Sequence, residues 1–331
     1  MRITALAGGV GGARFLRGLR AAVAGADVEL TIIGNTGDDI TLYGLRVCPD
    51  LDTLMYTLGG GVDVDQGWGR ADETHVVQGE LSAYGAVPDW FSLGDRDLAA
   101  HIARSQWLGQ GLTLSQITAR LAARWGLSEP QLRLLPMSDQ PIETHVVIDQ
   151  GEGPTAVHFQ EWWVRLRAAV PAQRFAIVGL DRAQAAPGVV AAIAEADLVL
   201  LPPSNPVVSI GVILGVPGIR TALCDTKAPV VGVSPLIHGR PVRGHADACL
   251  AAIGVECTSA GVAELYRDFL DGWLVDPADQ FDPADPQRAW ASDLTVRARD
   301  IRMDTPELTR DLAAACLDLG QELAAARRRD A

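Results

Sequence analysis

Four glycines stand among five consecutive residues in the N-terminal stretch MRITALAGGVGGARFLRGLRAA, at Gly8, Gly9, Gly11 and Gly12. Placed between an apolar run and a helix-like run, such a loop lets backbone N–H groups converge on an anion with no Cβ in the way. A dinucleotide fingerprint counted from Gly9 and Gly11 needs a third glycine where Arg14 stands, and a P-loop needs Gly-Lys where Ala13 and Arg14 stand. The loop therefore reads as a phosphate or nucleotide site of neither standard type, with dinucleotide binding and a tight structural turn as alternatives. Downstream, GNTGDDITLYGLRVCPDLDT sets Asp38, Asp39, Asp50 and Asp52 within fifteen residues. Clustered carboxylates repel one another unless solvent or a cation separates them, and hard oxygen ligands beside phosphate suit Mg²⁺. Turn and capping roles for Asp38 and Asp50 are the structural alternative.

Three further stretches carry chemistry-bearing residues. FSLGDRDLAAHIARSQ places Asp95, Arg96 and Asp97 at a helix start and brings Asp97, His101 and Arg104 onto one face; on the residues alone, a solvated salt-bridge face competes with a substrate face. In LLPPSNPVVSIGVIL, Ser204 and Asn205 are placed to cap a helix, leaving N–H groups and Ser209 for an anion or ribose. GVSPLIHGRPVRG repeats the strand-to-loop pattern, so three such loops would surround one crevice. HFQEWWVR offers two tryptophans, to stack on a planar ring or to pack a domain junction. His145 and His158 read as satisfied histidines of a hairpin.

These loops need a frame. RITALA and VELTIIGN are β-type runs separated by a segment with Phe15, Leu16, Leu19 and Val23 at helical spacing, a β–loop–α–β start that predicts parallel strands. RFAIVGL (174–180), ADLVLLP (196–202) and APVVGVSP (228–235) repeat the buried-strand pattern. The expected fold is α/β: a Rossmann-like, doubly wound, mostly parallel sheet. Between about 67 and 171 the pattern becomes helical, with Thr113 as an N-cap and Gly126 as a stop, and then gives the hairpin ETHVVIDQGEGPTAVHFQEWW. The expected organisation is a nucleotide-binding core of 1–66 and 172–331 with a helical and hairpin insertion, 67–171. TPELTRDLAAACLDLGQELAAARRRD reads as a packing helix capped by Thr305.

With 28 basic and 41 acidic residues the net charge is −13, which argues against nucleic acid as a partner. No apolar run reaches the roughly 18 residues of a membrane span and no signal-like segment opens the chain, so a cytoplasmic location is expected. Cys48, Cys224, Cys249, Cys257 and Cys316 form no Cys-x-x-Cys pair and read as reduced thiols.

Taken in order, GGVGGARFL, NTGDD, CPDLDT, WGRADET, LGDRDLAAHIARSQ, LPMSD, HFQEWWV and PPSNPVVSIGVIL resemble the 2-phospho-L-lactate transferase family of coenzyme F(420) biosynthesis, most closely its actinobacterial, phosphoenolpyruvate-transferring branch. The resemblance spans about residues 1–310. It implies transfer of a phosphoenolpyruvyl or 2-phospholactyl group from a guanosine diphosphate-activated donor to the ribityl hydroxyl of the deazaflavin Fo. GMP leaves, dehydro coenzyme F(420)-0 forms, and the enzyme is a Mg²⁺-using homodimer. Gly9, Gly11, Gly12, Arg14, Asn35, Ser204, Asn205 and Ser209 would then cradle the donor. Asp38, Asp50 and Asp52 would be the catalytic set, with Asp38 and Asp52 on the metal. Asp50, Ser92, Asp95, Arg96, His101, Arg104 and Trp162 would face the acceptor; archaeal members carry a lysine at the Ser92 position. Two other readings compete. One is a nucleotide-sugar-binding regulatory protein of the same fold; the other is an NAD-dependent oxidoreductase, weakened by Arg14 and by Asn35 at the end of the second strand, where an acid is expected.

Overall fold

The structure, a computed structural model, describes residues 1–128, 130–279 and 281–330. The chain opens with β1 (Arg2–Ala7), α1 (Gly9–Ala22) and β2 (Glu29–Gly34), then a short hairpin, β3 (Ile40–Leu42) and β4 (Leu45–Val47), and α2 (Pro49–Leu58). Three helices follow, α3 (Val76–Ala83), α4 (Asp95–Gly109) and α5 (Leu114–Arg124), before β5 (Leu132–Pro136). Next come β6 (Glu143–Asp149), β7 (Pro154–His158) and β8 (Ala172–Val178). The remainder alternates again: α6 (Val189–Ala194), β9 (Leu198–Leu201), α7 (Ile210–Gly215), α8 (Ile219–Asp225), β10 (Val230–Val233), the ribbon β11 (Leu236–Ile237) and β12 (Arg240–Pro241), α9 (Ala246–Ala252), α10 (Ser259–Glu264), β13 (Gly272–Val275), β14 (Thr295–Ala298) and α11 (Pro306–Asp330).

Seven strands form one parallel sheet in the order β14-β13-β10-β9-β1-β2-β5. Because successive side chains point to opposite faces, each strand feeds two cores. Ile3, Ala5 and Ala7 of β1 pack with Leu16 and Leu19 of α1 and with Leu312, Ala313 and Cys316 of α11. Leu6 of the same strand faces the other layer, with Ile193, Ile213, Ile219 and Val262. The C-terminal helix is thus a packing helix; Thr305 Oγ1 accepts the N–H of Leu308 at its start.

The expected doubly wound α/β fold is present. The strand order reverses between β1 and β9, so the loops after these two strands diverge to opposite sides and leave a crevice between them. Two strand expectations need correction. Segment 174–180, expected as a core strand, supplies β8, which pairs antiparallel with β6 in a separate three-stranded sheet. Conversely, β5 lies within the span expected as an insertion yet forms an edge of the central sheet, pairing Ile33 with Leu135. The β6–β7 hairpin is present, pairing His145 with His158. Helix α5 begins as expected: Thr113 and Gln116 form a reciprocal capping box, and Gly126 follows its end at φ +67°.

Candidate functional site

The crevice at the strand-order reversal holds a cavity of about 520 Å³. One wall is the first turn of α1, which Gly8 caps in extended conformation. Gly8 has no room for a side chain: a Cβ would meet Asp50 Oδ2 at 2.5 Å and Ser209 Cβ at 2.8 Å. Its backbone is fixed from the opposite loop, since Ser204 Oγ accepts from Gly8 N at 3.2 Å and donates to Gly8 O at 2.8 Å. That second loop is shaped by Asn205, whose Oδ1 accepts the N–H groups of Val207 and Val208 at 2.9 and 3.2 Å. Gly9, Gly11, Arg14, Ser204, Asn205 and Ser209 all line the cavity. Gly12 is buried behind it against Ser204, and Asn35 is buried beneath it.

Asn35 organises the first acidic group. Its Nδ2 donates to Asp50 Oδ2 at 2.9 Å and to Asp38 Oδ1 at 3.3 Å, while its Oδ1 accepts from Gly37 N. Both carboxylates line the cavity yet are only 5–6% exposed. Burial, and then the neighbouring Asp50 charge, push Asp38 well above the usual carboxylate range. Burial pushes Asp50 up to about 6 against the opposing hydrogen bonds from Asn35 and Gly9. Two buried carboxylates that resist joint ionisation, bordered by N–H groups and open to a cavity, are a donor set suited to a hard cation.

Asp52, one turn into α2, faces a different group. Arg104 Nη2 donates to Asp52 Oδ1, and Arg104 Nη1 approaches His101 Nδ1 at 3.1 Å. His101 Nε2 stands 3.3 Å from Asp97 Oδ2, the expected i,i+4 pairing, and Tyr56 donates its hydroxyl to Asp97 Oδ1 at 2.6 Å. Burial works against the Arg104 charge, but Asp52, Cys48 and Tyr56 on balance hold the guanidinium above its ordinary value. Among the described residues Asp52 Oδ2 makes no hydrogen bond, although it is buried, and Asp52 and His101 border the cavity. Asp52, Asp97 and His101 also bring three metal-ligating atoms within 4.8 Å of one another. Arg104 already neutralises Asp52, however, and the imidazole is a softer donor than Mg²⁺ prefers, so the Asp38–Asp50 pair fits that ion better.

The aspartates expected to share a metal are thus held by different partners, Asp38 by Asn35 and Asp52 by Arg104. Of the expected acceptor face, Asp50, Ser92 and His101 line the cavity, with Arg104 directly behind. Asp95 and Arg96 lie elsewhere. Asp95 caps α3, accepting from Thr74, Val76 and Val77, and Arg96 donates to the Ala71 carbonyl. Trp162 is fully buried, donating Nε1–H to Val170 O at 2.7 Å; of the adjacent pair it is Trp163, edge-on to His245 at 5.0 Å, that borders the cavity, as does Trp68. The sequence reading chose Trp162 of the two candidate tryptophans, and it missed Trp68, Tyr56 and Arg243 as lining residues. Arg243 stood in a quoted loop, GRPVRG, whose two arginines in an acidic chain were the available signal.

Residues 3–315 match the model of the family described as 2-phospho-L-lactate transferase CofD. The chain is 59% identical over 330 residues to a protein of Thermobifida fusca named phosphoenolpyruvate transferase, covering 98% of this chain and 99% of that one. Proteins of the same name from Streptomyces coelicolor and Mycolicibacterium smegmatis are 56% and 54% identical, covering 98% and 96% of this chain and 99% and 98% of theirs. In fold, the chain is similar to a member of the upf0052 family from Bacillus halodurans, solved twice. TM-scores are 0.55 and 0.59 at 18% and 16% identity, covering 95% and 96% of this chain and 90% and 100% of the others.

Proposed function

The chain belongs to the 2-phospho-L-lactate transferase family and is a transferase of coenzyme F(420) biosynthesis; from that premise we propose that it moves a phosphoenolpyruvyl group from a guanosine diphosphate-activated donor to the ribityl hydroxyl of the deazaflavin Fo. The hydroxyl oxygen bonds to the transferred phosphorus as the bond to the bridging oxygen breaks; GMP leaves with that oxygen, and the hydroxyl proton is released to solvent. The observation that carries this reading is Asp52 Oδ2, which makes no hydrogen bond among the described residues. It is buried at the cavity wall, opposite a phosphate-type loop, and suited to accept the hydrogen bond of an incoming hydroxyl.

Each part of the cavity has a task in such a transfer. Phosphoryl chemistry proceeds through a loose transition state in which positioning and charge neutralisation dominate. The first turn of α1 holds the donor's phosphates with backbone N–H groups, and the Ser204–Ser209 loop, whose Val207 and Val208 N–H groups are taken up by Asn205, shapes the facing wall. Arg104 fixes the Asp52 carboxylate through Oδ1, so that Oδ2, which makes no hydrogen bond of its own among the described residues, orients the hydroxyl. Asp38 and Asp50 would hold Mg²⁺, which supplies neutralisation of charge on the transferred group when bound. Residues 67–171 supply the acceptor side through Ser92, His101 and Trp163, with Trp163 beside the deazaflavin ring. The protein acts as a homodimer and without nucleic acid. No helix among the described residues is long and apolar enough to cross a membrane.

Incubation with Fo, Mg²⁺ and the enolpyruvyl-diphospho-guanosine donor is expected to release GMP and to yield a product heavier than Fo by one phosphoenolpyruvyl group. Nucleotide binding with neither product would instead support a regulatory binding protein.

A further inference from the structure

Two arginines converge on the cavity lining with no ion-paired carboxylate among the described residues. Arg14 leaves α1 in its second turn, and Arg243 comes from the loop after β12. Both line the cavity. Their guanidinium groups meet over Gly67: a Cβ there would stand 3.1 Å from Arg243 Nη1 and 3.4 Å from Arg14 Nη2. Gly67 also holds φ +78°, a conformation open to glycine, so this crowded point is built to admit both cations.

Among the described residues Arg14 has no hydrogen bond or ion pair, and Arg243 donates only to the Gln66 carbonyl. Gln66 is itself fixed, since Asp63 accepts its N–H and that of Asp65 at 3.0 Å. Burial and then Arg14 pull the Arg243 guanidinium below its ordinary value, as expected for like charges with no anion between them. In a chain of net charge −13, two adjacent and unmatched cations run against the overall field. An anionic ligand would relieve the repulsion, and planar guanidinium forks match phosphate oxygens.

We propose that Arg14 and Arg243 form a two-arginine clamp for a diphosphate. The N–H groups of the first α1 turn take one phosphate. Arg14, more than a turn further along, and Arg243 take the next, as Arg243 exchanges the Gln66 carbonyl for phosphate oxygen. The clamp rests on the nucleotide-donor reading for its physiological ligand, but it concerns diphosphate as a chemical class.

Titration calorimetry of the full chain with inorganic pyrophosphate, orthophosphate and guanosine diphosphate tests it. Wild type is expected to bind pyrophosphate more tightly than orthophosphate. Arg243→Ala and Arg14→Ala are each expected to lose about tenfold to a hundredfold in pyrophosphate affinity, the range for one charge-assisted bond. Unchanged melting temperature shows that these partly exposed positions leave the fold intact. Pyrophosphate binding in Arg243→Ala equal to wild type, or none in wild type, overturns the clamp. Loss of pyrophosphate in the variants while wild type ignores guanosine diphosphate supports the clamp and sinks the donor reading instead.

Discussion

Replacing Asp50 with asparagine is expected to stabilise the protein while disabling it. Burial holds the Asp50 carboxyl at about 6 in the fold, against an ordinary 3.8. A carboxyl raised on folding binds its proton more tightly in the native state. Its stabilising contribution is therefore complete below pH about 4 and is lost as pH rises to about 6. Above that, keeping the group ionised costs about 3 kcal/mol, from a shift of roughly two units at 1.36 kcal/mol each. Asparagine at this position keeps an oxygen for Asn35 but loses acceptance from the Gly9 N–H, at about 1 kcal/mol. The variant should therefore gain about 2 kcal/mol over wild type at pH 8 and lose about 1 kcal/mol near pH 4. Urea unfolding of both proteins across pH 4–8, without added metal, reads the crossing directly. An Asp50→Asn variant less stable than wild type at pH 8, or a difference flat with pH, refutes the argument that this carboxylate is held against its preference.

Arg104→Met strands a buried Asp52 charge and should cost about 3–5 kcal/mol, whereas Arg104→Met with Asp52→Asn should recover much of that loss; additive losses in the urea cycle would refute the pairing. Trp162→Ala opens a core cavity and should cost about 3–5 kcal/mol, whereas Trp163→Ala should mainly raise the KM for Fo. The reverse pattern in melting and steady-state kinetics would exchange their roles. Thr113→Ala removes one half of a capping box and should cost about 1 kcal/mol, checked by unfolding midpoint.

The glycine loop, the β1–α1–β2 start and the Thr113 cap were legible because each depends on residues close in sequence. Asp97 and His101 pair as their four-residue spacing dictates. The errors share a long-range cause. Segment 174–180 carries a buried-strand composition, but its partner is β6, and only pairing decides which sheet a strand joins. β5 is a five-residue run whose place is set by register with β2 across about a hundred positions. Trp162 and Trp163 are adjacent, and the π-type turn Glu161–Arg165 determines which one turns inward. Arg243 meets Gln66 at a separation of 177 residues, which no local pattern reports. The four aspartates were seen as one cluster; the fold divides three of them into an Asn35-bound pair and an Arg104-bound single carboxylate, because Asp50 and Asp52 leave α2 toward different neighbours.

The central claim is that Asp52 presents one free, fixed oxygen to the acceptor hydroxyl. Turnover of Asp52→Asn with Fo, Mg²⁺ and the guanosine diphosphate-activated donor, read as GMP release on protein shown to be folded, tests it most directly. The expected result is a kcat reduced about a hundredfold or more, the scale of losing one positioned polar contact in the transition state. A folded variant turning over within about twofold of wild type, well inside that scale, would contradict it.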